Sequence, residues 1–288
     1  MDKALAIDIG GTKIAYATVD KEGEFLSEIK KINTPKSASL IEEKLKEIIK
    51  ENEDRVDIIA IATAGAVNNE NTKILGSTAN LAKGYKDIDF QKLSQKKVFI
   101  ENDANCAAWA EYKMGASKGT NNSIMLTLGT GVGGGIIINN KLLKGKSGKA
   151  GEMHFKMSRK KERPCTCGEY DCFEAYASGN GLRKTAAEIF KDDNITTYDI
   201  IDLAKKGNED AKRALEIWQN DIIEGIIGLQ NIFDTECFVL SGSMEKFIDV
   251  KFVEDSVNKR ILTSKTKIYH GKSGNYSGMI GAALLALD

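Results

Sequence analysis

Residue types able to do chemistry gather at three places in this chain. The first is a pair of small-residue turns. Asp8-Ile9-Gly10-Gly11-Thr12-Lys13 follows the apolar run Ala4-Leu5-Ala6-Ile7, and Leu128-Gly129-Thr130-Gly131-Val132-Gly133-Gly134-Gly135 follows Ser123-Ile124-Met125-Leu126. Another apolar run comes after each, so both read as strand, tight turn, strand. A turn without Cβ atoms lets backbone N–H groups close on phosphate oxygens, and Thr12 and Thr130 add hydroxyl donors. One such turn also reads as an ordinary hairpin; two of them predict a nucleotide held between related halves. Neither fits the Rossmann or Walker A pattern, since no helix obviously follows and no Gly-Lys-Ser/Thr is present.

The second place is a carboxylate. Lys97-Val98-Phe99-Ile100 reads as a short buried strand, then come Glu101-Asn102-Asp103 and the run Ala104-Asn105-Cys106-Ala107-Ala108-Trp109-Ala110-Glu111. The alanines form helix readily, which puts Asp103 at or beside an N-cap. As a plain cap it contributes about 1 kcal/mol. As a functional group, kept ionised by the helix N-terminus, it can orient and deprotonate a hydroxyl. Its place between two phosphate-type turns predicts phosphoryl transfer, which needs a positioned hydroxyl, a base and charge neutralisation by metal and donors.

The third place is Cys165-Thr166-Cys167-Gly168-Glu169-Tyr170-Asp171-Cys172, with His154 upstream. Three thiolates and an imidazole make a tetrahedral set for a structural zinc, with no position left for water. The alternative is three reduced, buried cysteines. Zinc here would pin the 150–175 loop, which carries Glu152 and Glu174 at its ends, and those carboxylates could accept hydrogen bonds from sugar hydroxyls.

The elements that must position these groups alternate. Strands are expected at 3–9, 13–19, 24–33, 56–62 and 97–101, and a helix where Leu40, Ile41, Leu45, Ile48 and Ile49 share one face. Strands at 123–128 and 134–138 open the second half, with a hairpin through Asn139-Asn140. Residues 179–233 read as mainly helical, with Trp218 on the apolar stripe of the last helix, as core. Strands at 237–240 and 267–269 and a small-residue helix at 279–287 finish the chain. The pattern predicts an α/β architecture of two lobes, an N-terminal one over 1–115 with the terminal helix 277–288 packing back on it, and a C-terminal one over 116–276.

Lys plus Arg and Asp plus Glu both number 41 in the 288 residues, so no net field favours nucleic acid or an anionic membrane. No apolar run approaches the roughly 20 residues of a membrane span. The chain enters a strand almost at once, with no signal peptide, and its cysteine spacing is not a disulfide framework. A cytoplasmic protein is expected.

The ordered set D-I-G-G-T-K, N-D-A-N, L-G-T-G-V-G-G-G, G-E-x-H, C-x-C-G-x-x-x-C-x-E and V-L-S-G-S resembles the ROK family of bacterial sugar kinases and repressors across nearly the whole chain. The resemblance implies the two-lobed actin-like, hexokinase-like ATPase fold, with sugar and ATP in the cleft and usually as homodimers. It also implies Mg2+- and ATP-dependent phosphorylation of a hexose at its 6-hydroxyl. Asp103 would be the catalytic base, with Asn102, Glu152, His154 and Glu174 on the sugar and Gly65 and Asn80 as further sugar-side residues. Asp8 would lie near Mg-ATP. Gly10, Gly11, Thr12 and Lys13, with Thr130, Gly131, Gly133 and Gly134, would hold the phosphates, and Gly242 would lie near the adenosine. His154, Cys165, Cys167 and Cys172 would be the zinc ligands.

Three departures from the family pattern stand out. In the family Glu and His are three residues apart in G-E-I-G-H; here Glu152 and His154 are two apart, so either His154 is the ligand or Phe155 has replaced the histidine. The ten residues from His154 to Cys165 favour His154. The family histidine's contact with the sugar is brought into question by the same change. Asp171 stands where glycine is usual, which suits a position needing φ > 0 better than most residues would. Residues 102–111 also resemble the corresponding segment of bacterial N-acetylmannosamine kinases. That implies N-acetylmannosamine as acceptor and a place in sialic acid breakdown, with glucose or another hexose as the alternative. Some family members are repressors with a helix-turn-helix ahead of the first glycine turn; only seven residues precede Asp8 here. A non-catalytic sugar-binding or regulatory protein is the remaining alternative.

Overall fold

The computed structural model describes residues 2–76, 81–158 and 160–288. Along the first half run β1 (Lys3–Ile9), β2 (Lys13–Asp20), β3 (Lys30–Asn33), α1 (Ala38–Asn52), β4 (Ile58–Thr63), β5 (Val98–Asn102) and α2 (Asp103–Lys113). The second half holds β6 (Ser123–Leu128), β7 (Val132–Ile138), β8 (Lys141–Leu142), α3 (Phe173–Ala177), α4 (Gly179–Phe190), α5 (Thr197–Lys205), α6 (Glu209–Phe233), β9 (Cys237–Ser241), α7 (Val250–Asn258), β10 (Lys267–His270) and α8 (Ser277–Leu287).

Two five-stranded sheets result, ordered β3-β2-β1-β4-β5 and β10-β9-β6-β7-β8. Read from the other edge, the second repeats the first: third, second, first, fourth, fifth strand of its half. In the first sheet β1 is antiparallel to β2 and parallel to β4, and β4 is parallel to β5. In the second, β7 is antiparallel to β8, and β9 is parallel to both β6 and β10. A mixed α/β fold with this repeated order is the actin-like ATPase architecture. The chain divides into two compact units. One comprises Met1–Gly119, Gly135–Gly151 and Lys272–Asp288, the other Thr120–Gly134 and Glu152–Gly271.

Period-2 alternation explains the first unit. Leu5, Ile7 and Ile9 of β1 pack with Ile41, Leu45, Ile48 and Ile49 of α1, whose N-terminus is capped by Ser37. The other face carries Ala4, Ala6, Ala60 and Ala62, small enough for Met279, Ala282 and Ala283 of α8 to sit directly on the sheet. Gly281 presses against the carbonyl of Cys106, leaving no room for a Cβ, so α8 and α2 pack at very short range. The strand expected over 24–33 is shorter. Ser27 Oγ accepts from Thr18 N at 2.9 Å, so a side chain takes a ladder position and only Lys30–Asn33 pairs as β3. In the second unit Trp218 is fully buried, its Nε1 donating to the carbonyl of Ala177 at 2.9 Å. Among the described residues no helix is long and apolar enough to cross a membrane.

Candidate active site and metal centre

The first unit gathers Asp8, the 10–13 turn, Gly65, Asn102 and Asp103. Asn102, not Asp103, caps α2: its Oδ1 accepts from Ala104 N at 3.0 Å and Asn105 N at 3.1 Å. Asp103 becomes the first helical residue, exposed, with Oδ1 accepting from Ala104 N at 2.9 Å. Asp103 thus lies beside the N-cap, as expected, and Asn102 is the cap because its short amide reaches the N2 and N3 donors from an extended backbone. Asn102 Nδ2 donates to the carbonyl of Gly65 at 3.2 Å, joining two of the expected sugar-side residues. Asn80 lies outside the described residues.

Asp8, one residue from the end of β1, faces the α8 side of the sheet, where its Oδ2 meets the backbone at Gly278. Burial, and then the neighbouring Asp103 carboxylate, raises its pKa from 3.8 to about 6. A half-buried carboxylate near the end of β1 and an exposed one at the start of α2 therefore interact. A cation near both would relieve the repulsion between them. The turn beyond Asp8 closes by Gly10 N donating to Lys13 O at 3.0 Å, and Gly11, Thr12 and Lys13 are exposed.

Spacing alone gives no sign of Glu101, yet it is the other carboxylate at this junction. It is buried at 1% exposure and forms an ion pair with Lys144 at 2.7 Å. Its only sequence signal is a charge where the buried strand 97–101 should end in an apolar residue.

The second unit gathers the 129–134 turn, Glu152, the cysteine knuckle, Glu174 and Gly242. The ligand atoms of His154, Cys165, Cys167 and Cys172 all lie within 4.8 Å of one another, a set able to hold a metal ion. His154 Nδ1 is 3.3 Å from Cys165 Sγ, and Cys167 Sγ is 3.6 Å from Cys172 Sγ. Phe155 instead stacks on Phe173, with ring centroids 4.9 Å apart, so the histidine of the shortened motif is the one that joins the cysteines. Asp171 has φ 57°, and its carboxylate accepts the backbone N–H groups of Lys161, Glu162 and Arg163 at 2.7, 3.1 and 2.9 Å. A glycine could take that φ but could not gather those donors. The Arg163 N–H is the largest cause of the lowered pKa of Asp171.

Glu174, at the start of α3, is a bridge. Its Oε1 accepts from the Thr166 hydroxyl, and its Oε2 accepts from Val132 N at 3.1 Å. A Cβ on Gly131 would sit 2.5 Å from that same Oε2, so the turn needs glycine for the carboxylate to approach. Thr130 is exposed on the turn, Gly133 and Gly134 lie in β7, and Gly242 follows β9 against the carbonyl of Leu128. Glu152 is exposed at the start of its segment.

The sequence model of the ROK family matches residues 4–288. The glucokinase of Streptomyces coelicolor is 33% identical over 325 aligned residues, covering 100% of this chain and 98% of that protein. An N-acetylmannosamine kinase of Yersinia pestis is 31% identical, covering 99% of each. Among solved structures, a ROK family glucokinase from Streptomyces griseus, in complex with glucose and AMPPNP, superposes with a TM-score of 0.79 at 29% identity, covering 98% of each chain. Fold and site together define an ATP-dependent sugar kinase. Within that class, the chain belongs to the ROK family.

Proposed function

We propose that this protein phosphorylates the 6-hydroxyl of N-acetylmannosamine with Mg-ATP, with Asp103 as general base. The observation that carries the catalytic part is the placement of Asp103: Asn102 is the N-cap of α2, and the Asp103 carboxylate stands exposed on the first helical residue, close enough to Asp8 to raise its pKa. There it accepts the hydroxyl proton as the oxygen attacks the terminal phosphorus of ATP. Asp8 suits a place near Mg2+, which would neutralise charge on the transferring phosphoryl group. The 10–13 and 129–134 turns offer backbone N–H groups to the phosphates, with Lys13, Thr12 and Thr130 beside them, and Gly242 lies on the adenosine side. Asn102 contacts sugar through the free hydrogen of Nδ2, since its Oδ1 is occupied by the cap. Glu152, His154, Glu174, Gly65 and Asn80 are the residues proposed to contact the sugar.

The knuckle suits zinc. Tetrahedral Zn–S bonds of about 2.3 Å put ligand atoms roughly 3.8 Å apart, close to the spacing of the four donor atoms. With all four positions taken by protein, the metal would be structural.

N-acetylmannosamine is favoured by the likeness of residues 102–111 to the kinases of that sugar and by the Yersinia relative. The glucokinase match at 33% identity supports glucose as the second reading. ADP release with N-acetylmannosamine, glucose, mannose, N-acetylglucosamine and fructose at equal concentrations decides between them. A preference for glucose keeps the mechanism and discards the acceptor. Asp103→Asn is expected to lower kcat by at least about 1,000-fold while sugar binding survives. Activity within about tenfold of wild type removes Asp103 from the base role.

A further inference from the structure

Glu101 has no part in the chemistry above, although it precedes Asp103 by two residues and is buried at 1% exposure. Its lone pairs are filled by four donors. Oε1 accepts from Asn102 N at 2.8 Å and Asn105 Nδ2 at 3.1 Å. Oε2 accepts from Asn71 Nδ2 and Lys144 Nζ, both at 2.7 Å. Each donor comes from a different piece of chain: the junction itself, the first turn of α2, the turn after β4, and the segment after β8. Two of these pieces are tied together again. Lys144 Nζ also donates to Asn68 O at 2.9 Å, and Asn71 exchanges backbone and side-chain bonds with Ile100.

We propose that Glu101, held by Lys144, is a positioning residue that fixes the Asn102–Asp103 junction for phosphoryl transfer; this rests on Asp103 being the base. Glu101 is sealed from substrate by burial and by its filled lone pairs, so it acts through its neighbours. A buried ion pair adds little net stability over packed apolar groups, while removing one partner strands the other. Its value lies in geometry: Glu101 sets where the chain leaves β5, Asn105 sets the first turn of α2, and Asp103 sits between them. Proton transfer is sensitive to that placement, because a displacement of about 1 Å costs roughly 100-fold in rate.

The test compares Glu101→Gln, Lys144→Met, Lys144→Arg and Asp103→Asn in the full chain, with circular dichroism and Tm as checks on folding. Glu101→Gln turns an amide NH2 toward the Lys144 and Asn71 donors, and Lys144→Met leaves a carboxylate without its cation. Each is expected to lower kcat by roughly 100-fold with both KM values near wild type. The acid limb of the kcat/KM profile should move in opposite directions. An unpaired Glu101 raises the pKa of the nearby Asp103, and an unpaired Lys144 lowers it. The other titratable neighbours of Asp103, namely Asp8, Tyr85 and Cys106, are the same in both variants. Lys144→Arg keeps the charge and should recover most of kcat.

Folded Glu101→Gln and Lys144→Met with kcat within about threefold of wild type overturn the inference. So does a loss of activity that only tracks the loss of folded protein, with the acid limb unmoved. Should Glu101→Gln not fold, the Lys144 pair decides alone, and failure of both to fold makes the role one of folding, against the proposal. If Asp103→Asn retains activity within about tenfold, it is the base assignment that falls.

Discussion

The two glycine turns occupy equivalent places, each between the first and second strand of its half, yet they are held by different means. The 10–13 turn is fastened by its own sheet. Thr34, just past β3, donates through Oγ1 to Gly10 O at 2.6 Å and through its backbone to Thr12 O at 3.0 Å. The 129–134 turn is fastened from far along the chain. Gly179 N donates to Gly129 O at 2.8 Å, and Glu174, 42 residues downstream, accepts from Val132 N. Glu174 is anchored in turn by the Thr166 hydroxyl of the knuckle. Each turn also closes on itself, through Gly10 N to Lys13 O and Gly129 N to Gly131 O, both at 3.0 Å, so what differs is the added support: the turn's own sheet in one unit, a metal-type knuckle in the other.

Metal removal should break the symmetry most strongly. Structural zinc contributes on the order of 10 kcal/mol to the folding of isolated fingers; here part of that is expected, because Trp218 and its helix keep their own core. Freshly purified protein should carry about one zinc per chain. Chelation, or Cys167→Ser, should free Glu174 and with it the second turn. In hydrogen exchange, peptides covering 123–135 lose protection and those covering 3–16 keep it, while nucleotide affinity falls by at least about tenfold. Equal loss in both turns, or none in either, removes the distinction, and absence of zinc in the purified protein leaves the knuckle as packing.

The next effect belongs to the first unit and depends on pH. Asp8 has its pKa raised from 3.8 to about 6, by burial first and Asp103 second. Between those values the folded chain keeps a proton that the unfolded chain has lost. The contribution is therefore full below about pH 3.8 and gone above about pH 6, a change of about 3 kcal/mol. Asp8→Asn should flatten the fall in stability over that window and leave the variant more stable than wild type at pH 7. Thermal melts from pH 4 to 7 test this, and parallel curves for the two proteins count against it. Loss of Mg-ATP-dependent stabilisation in the same variant would place the carboxylate near the metal as well.

How far these differences could be read in the sequence follows from their range. Short-range features were legible: the small-residue turns and the Cys-x-Cys spacing follow from neighbouring residue types, and the positive φ at Asp171 was suggested by the glycine usual there in the family. The helix start at residues 102–103 was legible to within one residue, because Asn and Asp both cap and only tertiary contacts choose between them. Long-range pairings were not legible. Glu101 with Lys144, and Glu174 with Val132, join residues about 40 apart, and no spacing rule encodes which buried carboxylate meets which donor. The shortened Glu152–His154 motif left two candidates; the spacing to Cys165 favoured His154, and its place among the cysteines, with Phe155 stacked on Phe173, agrees. The strand over 24–33 failed for a similar reason, since Ser27 Oγ competes for a ladder donor.

The smallest expected effect probes how self-contained the first turn is. Thr34→Val keeps the shape and the backbone bond to Thr12 O but removes the hydroxyl that donates to Gly10 O. A single neutral hydrogen bond contributes about 1 kcal/mol, so global stability should fall by no more than that. Local exchange at residues 9–14 should quicken by roughly fivefold if the bond is lost only in local openings. Because the turn's own Gly10–Lys13 bond and the β1–β2 ladder remain, the loss should stay within this hairpin, and peptides over 123–135 should be unchanged. A change in the second turn would mean that the turns communicate and that the first is not self-contained. No change in either would mean that the backbone bonds alone hold the first turn, which makes the contrast with the knuckle-dependent turn sharper still.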